Sequence, residues 1–211
     1  MNGIERLLIL REKTMQAGEV MNSLRPRFES IRDRHIEGTA PKAVTGFNLF
    51  QTPRTIAARM ASLIQERVGY GGRILEPSAG LGRLYDPLEA LRADWMMVEE
   101  VGECCNALRK AIKRAEAVHN GDFLAETVNS LGGKFDGVIM NPPFKMGTDC
   151  RHILHALDMV RDGGRLVSLC YNGAKQNAQL KPFATHWEVL PEGSFMEEGT
   201  AASVALLIID K

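Results

Sequence analysis

The feature that most constrains this chain is a regular alternation of strand-like and helix-like segments from about residue 50 onward. Strands are predicted where short apolar runs lie between turn residues, and helices where apolar residues recur at helical spacing. The predicted strands are 73–75, 95–98, 135–140, 165–170, 187–190 and 203–209. The predicted helices start after Thr52, near Tyr85, and at about 103 and 152. This alternation favours an α/β fold, a mostly parallel sheet with helices on both faces.

Two boundaries of these helices carry specific expectations. Thr52 is predicted to cap the first helix and Pro53 to be its first residue, because these types are favoured at those positions. The helix at 152–160 is predicted to end at Asp162-Gly163-Gly164, since glycine commonly ends helices. In a parallel sheet of this kind, ligands bind at the carboxyl ends of the strands, so motifs at those ends are candidate site residues.

The first such motif is Ile74-Leu-Glu-Pro-Ser-Ala-Gly-Leu-Gly82, which ends the first predicted strand. Gly80 and Gly82 allow close approach of the backbone to a ligand. Glu76 disfavours a pyrophosphate and suits a cationic ligand or an amine. The motif therefore favours a ligand such as S-adenosylmethionine over a dinucleotide.

Two further acids follow the next strands. Glu99 comes 19 residues after Gly80 and ends an apolar run, where it can accept hydrogen bonds from both ribose hydroxyls of a nucleoside. Glu100 is the weaker candidate, because successive strand residues face opposite ways. In Asn120-Gly-Asp-Phe123, Asp122 can bind an adenine amino group and Phe123 can pack on the ring, although the segment alone is also an ordinary turn sequence.

The most specific signal is Asn141-Pro-Pro-Phe144, directly after the buried strand 135–140. Its two prolines stiffen the turn and remove two backbone donors, which leaves acceptors. The Asn141 side chain adds another acceptor, and Phe144 offers a flat face for stacking. These features together suit a planar group that carries an exocyclic amine.

These motifs occur in the order seen in class I S-adenosylmethionine-dependent methyltransferases. The segment 141–144 resembles the amino-methyltransferases that act on adenine N6. Residues 50–53 resemble the upstream motif that holds the methionine end of the cofactor. The tail 197–204 and the segment 149–156 resemble small phage- and plasmid-type DNA adenine methyltransferases. The resemblance covers roughly residues 45–211. We expect no separate target-recognition domain of the kind that restriction-type relatives carry.

The resemblance implies a Rossmann-like methyltransferase fold with a mostly parallel seven-stranded sheet and an antiparallel last strand. It implies S-adenosylmethionine as cofactor and no metal. The implied cofactor-binding residues are Thr52, Pro53, Glu76, Pro77, Ser78, Ala79, Gly80, Gly82, Glu99, Asp122, Phe123 and Asn141. The implied catalytic residues are Asn141, Pro142, Pro143 and Phe144.

Basic residues after two strand ends are candidate phosphate contacts, with scattered surface charge as the alternative. They are Lys145, Arg151, Lys175 and Lys181. His152 and His155 lie three residues apart, and with Asp149 they form a weak candidate metal site. We favour instead a helix packed against the site, with locally hydrogen-bonded histidines.

Residues 1–44 are expected to form a helical extension that serves as a lid, a dimer contact or a DNA contact. The cluster Arg25, Arg27, Arg32 and Arg34 allows a phosphate-facing edge, but we favour a solvated helical face as its explanation. The remaining residues, 45–211, are expected to form the methyltransferase domain. Both a homodimer and a partner subunit stay open.

Composition narrows the class of protein. With 26 basic and 26 acidic residues the net charge is zero, which argues against a surface that wraps a polyanion everywhere. The amino terminus lacks a signal-peptide pattern and no apolar run could span a bilayer, so we expect a cytoplasmic protein without membrane partners. The four cysteines lack metal-site spacing and are expected to be reduced.

The leading hypothesis is a DNA adenine-N6 methyltransferase that takes a flipped base into the pocket formed by residues 141–144. Methylation of RNA adenine or of a protein glutamine amide is the first alternative, because both present a similar amine. A cofactor-binding subunit with little catalysis is the second. Replacement of Asn141 separates these classes, since only an enzyme would lose turnover.

Overall fold

The computed structural model describes residues 51–112, 117–198 and 200–211, so the expectations for residues 1–44 lie outside the described part of the chain. Within these ranges, seven strands form one sheet: β1 (Arg73–Pro77), β2 (Asp94–Glu99), β3 (Val118–Asn120), β4 (Phe135–Met140), β5 (Val160–Tyr171), β6 (His186–Val189) and β7 (Val204–Asp210). In the described residues, four α-helices accompany them: α1 (Arg54–Val68), α2 (Gly102–Ala111), α3 (Thr148–Met159) and α4 (Ala174–Gln179). Among the described residues, none of the helices is long and apolar enough to span a membrane.

The strand order is β3-β2-β1-β4-β5-β7-β6. The strands from β1 to β5 pair in parallel, whereas β7 lies between β5 and β6 and is antiparallel to both. The chain thus winds outward from β1 to β3 and then returns to place β4 on the other side of β1. The expectation of a mostly parallel seven-stranded sheet with an antiparallel last strand is confirmed.

Helices cover both faces of the sheet because the central strands alternate apolar residues between two cores. On β1, Ile74 joins the core that contains α1 and α2, and Leu75 joins the core that contains α3. On β4, Ile139 and Val138 divide in the same way. Burial on both faces explains why these strands read as nearly continuous apolar runs.

Four expected boundaries are corrected. The first helix begins at Arg54, and Pro53 is its cap, because the Pro53 carbonyl accepts the first helical hydrogen bond from Ala57 at 2.9 Å. The helix expected near Tyr85 is a 3₁₀ helix, Asp86–Leu91, which ends where Arg92 adopts a left-handed conformation. The helix expected at 152 begins one turn earlier, at Thr148.

The fourth correction concerns Asp162-Gly163-Gly164, which continues β5 instead of ending a helix. Both glycines pair with the last residue of the chain: Gly163 donates its N–H to the Lys211 carbonyl at 2.8 Å, and Lys211 donates to the Gly164 carbonyl at 3.1 Å. The local sequence suggested a helix stop, but pairing with a distant segment decided the conformation.

Candidate functional site

A cavity of about 860 Å³ in the described part of the chain lies at the carboxyl ends of β1, β2, β3 and β4. Its position is the point where the strand order reverses, between β1 and β4. Ligand sites in open α/β sheets occur at such points, and their volumes fall between about 300 and 1,000 Å³. The cavity is therefore the candidate site.

Most of the residues predicted from the sequence meet around this cavity. The lining includes Thr52, Glu76, Ser78, Ala79, Gly80, Glu99, Asp122, Phe123, Asn141, Pro142, Pro143, Phe144, Lys145 and Arg151. Three of the predicted cofactor-binding residues do not line the cavity. Pro53 caps α1, Pro77 ends β1 and Gly82 lies in the turn that follows. The strand order brings together motifs that are up to 92 residues apart in sequence.

Glu76 is the most unusual group in the cavity. It is 2% exposed, and its Oε2 atom is buried without a hydrogen-bond partner in the described part of the chain. Burial raises its pKa well above 4.5, and the nearby charges of Asp86 and Glu99 raise it further, while a backbone hydrogen bond at Leu84 opposes the shift. A buried carboxylate in this state favours a cationic ligand.

Glu99 has a different environment. Its Oε2 atom accepts the Gly80 N–H at 2.7 Å, and its Oε1 atom accepts the Val101 N–H at 2.8 Å. The carboxylate therefore fixes the glycine turn after β1 to the end of β2. Each oxygen has a second lone pair, so hydrogen bonds to ribose hydroxyls remain available. Glu100 also lines the cavity but is exposed.

The Asp122-Phe123 pair lies at the end of β3. Asp122 caps the short 3₁₀ helix Phe123–Ala125, since its Oδ1 atom accepts the Leu124 N–H at 2.9 Å. Phe123 is buried, and its ring packs edge-on against His155 with centroids 4.9 Å apart. Phe123 therefore connects the cavity wall to α3.

The histidines of α3 are held by local contacts. His155 Nε2 lies 2.9 Å from the Glu126 carbonyl oxygen, and His152 Nδ1 lies 3.4 Å from Ser78 Oγ. Burial lowers the pKa of His152 to about 4, so the ring that lines the cavity is neutral near pH 7. Asp149 is fully buried, and its two carboxylate oxygens accept hydrogen bonds from the Tyr171 N–H and the Gln176 side chain. These contacts agree with the packing interpretation of α3.

Of the four basic residues predicted to contact nucleic acid, two line the cavity and two do not. Lys145 and Arg151 line the cavity and are exposed. Lys175 lies against the turn after Phe144, where a Cβ atom added to Gly147 would come within 2.5 Å of Lys175 Nζ. Lys181 is exposed on the 3₁₀ helix Lys181–Phe183 and does not line the cavity.

Sequence reasoning missed several lining residues. Gln51 and Arg83 belong to the cavity, and Gln51 Oε1 accepts two hydrogen bonds from the Arg83 guanidinium. Gln51 lies within the recognised segment 50–53 and Arg83 directly follows the recognised segment 74–82, so their positions were the available signal. Met146, 88% exposed at φ 55°, had no sequence signal, because the turn that presents it depends on its neighbours. Thr200 and Ala202 of the tail also line the cavity.

Comparison with solved structures supports the fold assignment. A candidate RNA methyltransferase from Pyrococcus horikoshii matches with a TM-score of 0.63 at 20% identity, over 81% of this chain and 91% of that chain. The M protein of the type I restriction enzyme EcoKI matches with 0.58 at 15% identity, over 77% of this chain and 44% of that chain. The magnesium protoporphyrin IX methyltransferase of Synechocystis, solved with S-adenosylmethionine bound, matches with a TM-score of 0.57 at 13% identity. The match covers 75% of this chain and 79% of that chain.

These likenesses show that the chain has the Rossmann-like fold found in class I methyltransferases. This chain spans less than half of the EcoKI M protein. No family model and no curated protein sequence matches the chain.

Proposed function

We propose that this protein transfers a methyl group from S-adenosylmethionine to the exocyclic N6 amine of adenine in DNA. The observation that carries the proposal is the arrangement of one cavity, in which acids at the ends of β1 and β2 face the same space as the segment Asn141–Phe144 at the end of β4. The acids suit a cationic nucleoside, and the segment suits a planar amine. A cavity that holds both groups side by side supports transfer between them.

The residues of the cavity fit S-adenosylmethionine as cofactor. The unpartnered Glu76 Oε2 atom would accept from its ammonium group, and Glu99 would accept from the ribose hydroxyls. Asp122 and Phe123 would hold the adenine ring. When bound, this cofactor supplies a methyl group that is already electrophilic.

Activation of the acceptor amine falls to the segment after β4. The Asn141 side-chain oxygen and the Pro142 carbonyl would accept hydrogen bonds from the amine, which favours a pyramidal nitrogen with a localised lone pair. Phe144 is half-buried on the cavity wall, where it would stack on the base. Positioning of two reactants in this way is worth up to about 7–11 kcal/mol in favourable systems, so no strong base is required.

Access of a flipped base is supported by the rim of the cavity. Lys145 and Arg151 are exposed there and would contact phosphates on either side of the target nucleotide. Flipping costs a few kcal/mol, which stacking and pocket contacts offset in part. The tail residues Thr200 and Ala202 border the same opening, in the segment that resembles phage-type DNA enzymes.

The test is transfer of labelled methyl groups to unmethylated genomic DNA, total RNA and cell protein in parallel. The wild type is compared with Asn141→Ala, and Asn129→Ala in an exposed turn is the matched control. We expect label in DNA, recovered as N6-methyladenine, at least 100-fold less with Asn141→Ala, and unchanged with Asn129→Ala. Asn141→Ala should still bind the cofactor.

Other outcomes would overturn the proposal in defined ways. Label in RNA adenine or in protein glutamine alone would keep the site chemistry and replace the acceptor. Cofactor binding without label in any acceptor would identify a non-catalytic binding subunit. Full activity of Asn141→Ala would show that the segment after β4 does not bind the amine.

A further inference from the structure

Two buried side-chain atoms in the described part of the chain have no hydrogen-bond partner, and they carry opposite charges. They are Glu76 Oε2 and Arg83 Nη1, and both residues line the large cavity. These two atoms therefore do not hydrogen-bond to each other. Buried polar atoms are ordinarily hydrogen-bonded, so two unsatisfied atoms of charged groups beside a single cavity point to a ligand that pairs with both.

The orientation of Arg83 is set by Gln51. The Gln51 Oε1 atom accepts from Arg83 Nε at 3.0 Å and from Nη2 at 2.6 Å. This uses one edge of the guanidinium and leaves the Nη1 donors directed elsewhere. Guanidinium groups bind carboxylates with short, charge-assisted hydrogen bonds, and a pre-oriented fork adds geometric selectivity.

The turn that carries Arg83 is itself held in place. Gly82 has φ 78°, and a Cβ atom there would come within 2.8 Å of the Leu108 side chain of α2. Glu99 holds the preceding turn through the Gly80 N–H. The backbone bond between Leu84 and the Glu76 carboxylate places that carboxylate next to the residue that follows Arg83.

We propose that Arg83, oriented by Gln51, binds the carboxylate of the amino-acid end of S-adenosylmethionine while Glu76 binds its ammonium group. The cavity then selects an intact α-amino acid zwitterion and discriminates against a decarboxylated analogue. This inference rests on the cofactor of the proposed function but is independent of the methyl acceptor. Arg83 is a specificity-determining residue, and Gln51 is a positioning residue.

The test measures binding by calorimetry with the full chain and no nucleic acid, using S-adenosylmethionine and its decarboxylated form as the two ligands. For the wild type we expect the decarboxylated form to bind at least 10-fold more weakly. Arg83→Met should weaken binding of S-adenosylmethionine by 10- to 100-fold and leave binding of the decarboxylated form within 2-fold. Glu76→Gln should weaken the binding of both ligands, because both carry the ammonium group.

Two further variants complete the design. Arg54→Met is the matched control, because the substitution removes the same charge as Arg83→Met. Arg54 is exposed and lines a small neighbouring cavity together with Arg83. The control should change neither affinity. Gln51→Ala should reduce the selectivity between the two ligands below that of the wild type, through weaker binding of S-adenosylmethionine alone. This comparison with the wild type keeps the inference testable if Arg83→Met folds poorly.

Equal loss of affinity for both ligands in Arg83→Met, or no loss for S-adenosylmethionine, would overturn the inference. So would a wild type that binds neither ligand. The proposed function can fail separately. If the chain shows the expected selectivity but methylates no DNA, the zwitterion site stands and the proposal that DNA is the methyl acceptor is wrong.

Discussion

At the scale of single residues, the burial of Glu76 favours binding of a cationic ligand but lowers the stability of the ligand-free protein. Its folded-state pKa is raised above 4.5, so its contribution to stability is present below pH 4.5 and is lost as the pH rises through the folded-state value. At pH 7 the buried carboxylate therefore destabilises the ligand-free protein. Glu76→Gln should raise the free energy of unfolding at pH 7 by about 1–3 kcal/mol and give no gain at pH 4.

Thermal denaturation at the two pH values checks this expectation. Glu100→Gln, at the exposed neighbouring acid, is the control and should leave the midpoint unchanged. A Glu76→Gln variant less stable than the wild type at pH 7 would contradict the interpretation. Added S-adenosylmethionine should stabilise the wild type more than Glu76→Gln, because the carboxylate binds the ammonium group more strongly than the amide does.

His152 makes a second prediction at this scale. Because burial lowers its pKa from 6.5 to about 4, the fold favours the neutral ring. Its contribution to stability is present above pH 6.5 and is lost as the pH falls toward 4. Proton NMR should therefore show a histidine that titrates near pH 4 and is missing in His152→Gln. A signal assigned to His152 that titrates near 6.5 would show that the ring is solvated.

At the scale of elements, the contact between α1 and β4 is close because β4 carries a glycine at the crossing. A Cβ atom on Gly137 would come within 2.7 Å of Val68 and 3.1 Å of Ile64, both on α1. Gly137→Ala should therefore lower the free energy of unfolding by about 1–3 kcal/mol through overpacking. Gly102→Ala is the matched control, because its Cβ would meet only Asn120 Oδ1 at 3.7 Å.

Urea denaturation of the two variants measures this difference. The control should stay within about 0.5 kcal/mol of the wild type. Equal stability of the two alanine variants would mean that α1 moves without penalty. The position of α1 also bears on the site, since Gln51 and Thr52 precede this helix and line the cavity.

At the scale of the whole molecule, the reactivity of the four cysteines can be used to measure cooperative unfolding. Cys104 and Cys105 lie on α2, Cys150 on α3 and Cys170 on β5, and all four are buried and free. Burial raises the pKa of each thiol, to about 11 for Cys104, so the reactive thiolate is scarce in the native state. Labelling by a thiol reagent should be slow in native buffer and should follow global unfolding.

Reaction of all four thiols at a common rate under mild denaturant would confirm that one cooperative unit contains both faces of the sheet. Rapid labelling of a single cysteine would contradict this and locate a region that opens separately. Added S-adenosylmethionine should slow the labelling of all four, because it stabilises the folded state alone.

The sequence predicted element types better than element ends. The strand Phe135–Met140 has the predicted bounds, because a buried strand flanked by a glycine-rich turn and by prolines is set by local residue types. The Asp162–Gly164 segment was misassigned, since its conformation depends on pairing with Lys211. The unpaired charges of Glu76 and Arg83 could not be read from the sequence, because partners are a property of packing.

The α/β alternation, the chemistry at each strand end and the resemblance that these motifs carry follow from the amino-acid sequence alone. They do so because periodicity, turn residues and side-chain type are local properties of the chain. Tertiary packing brings these strand ends together at one cavity and orients Arg83 through Gln51. It also leaves Glu76 Oε2 buried without a hydrogen-bond partner among the described residues. These facts depend on strand order and on side-chain packing between distant segments, and local residue patterns do not contain them.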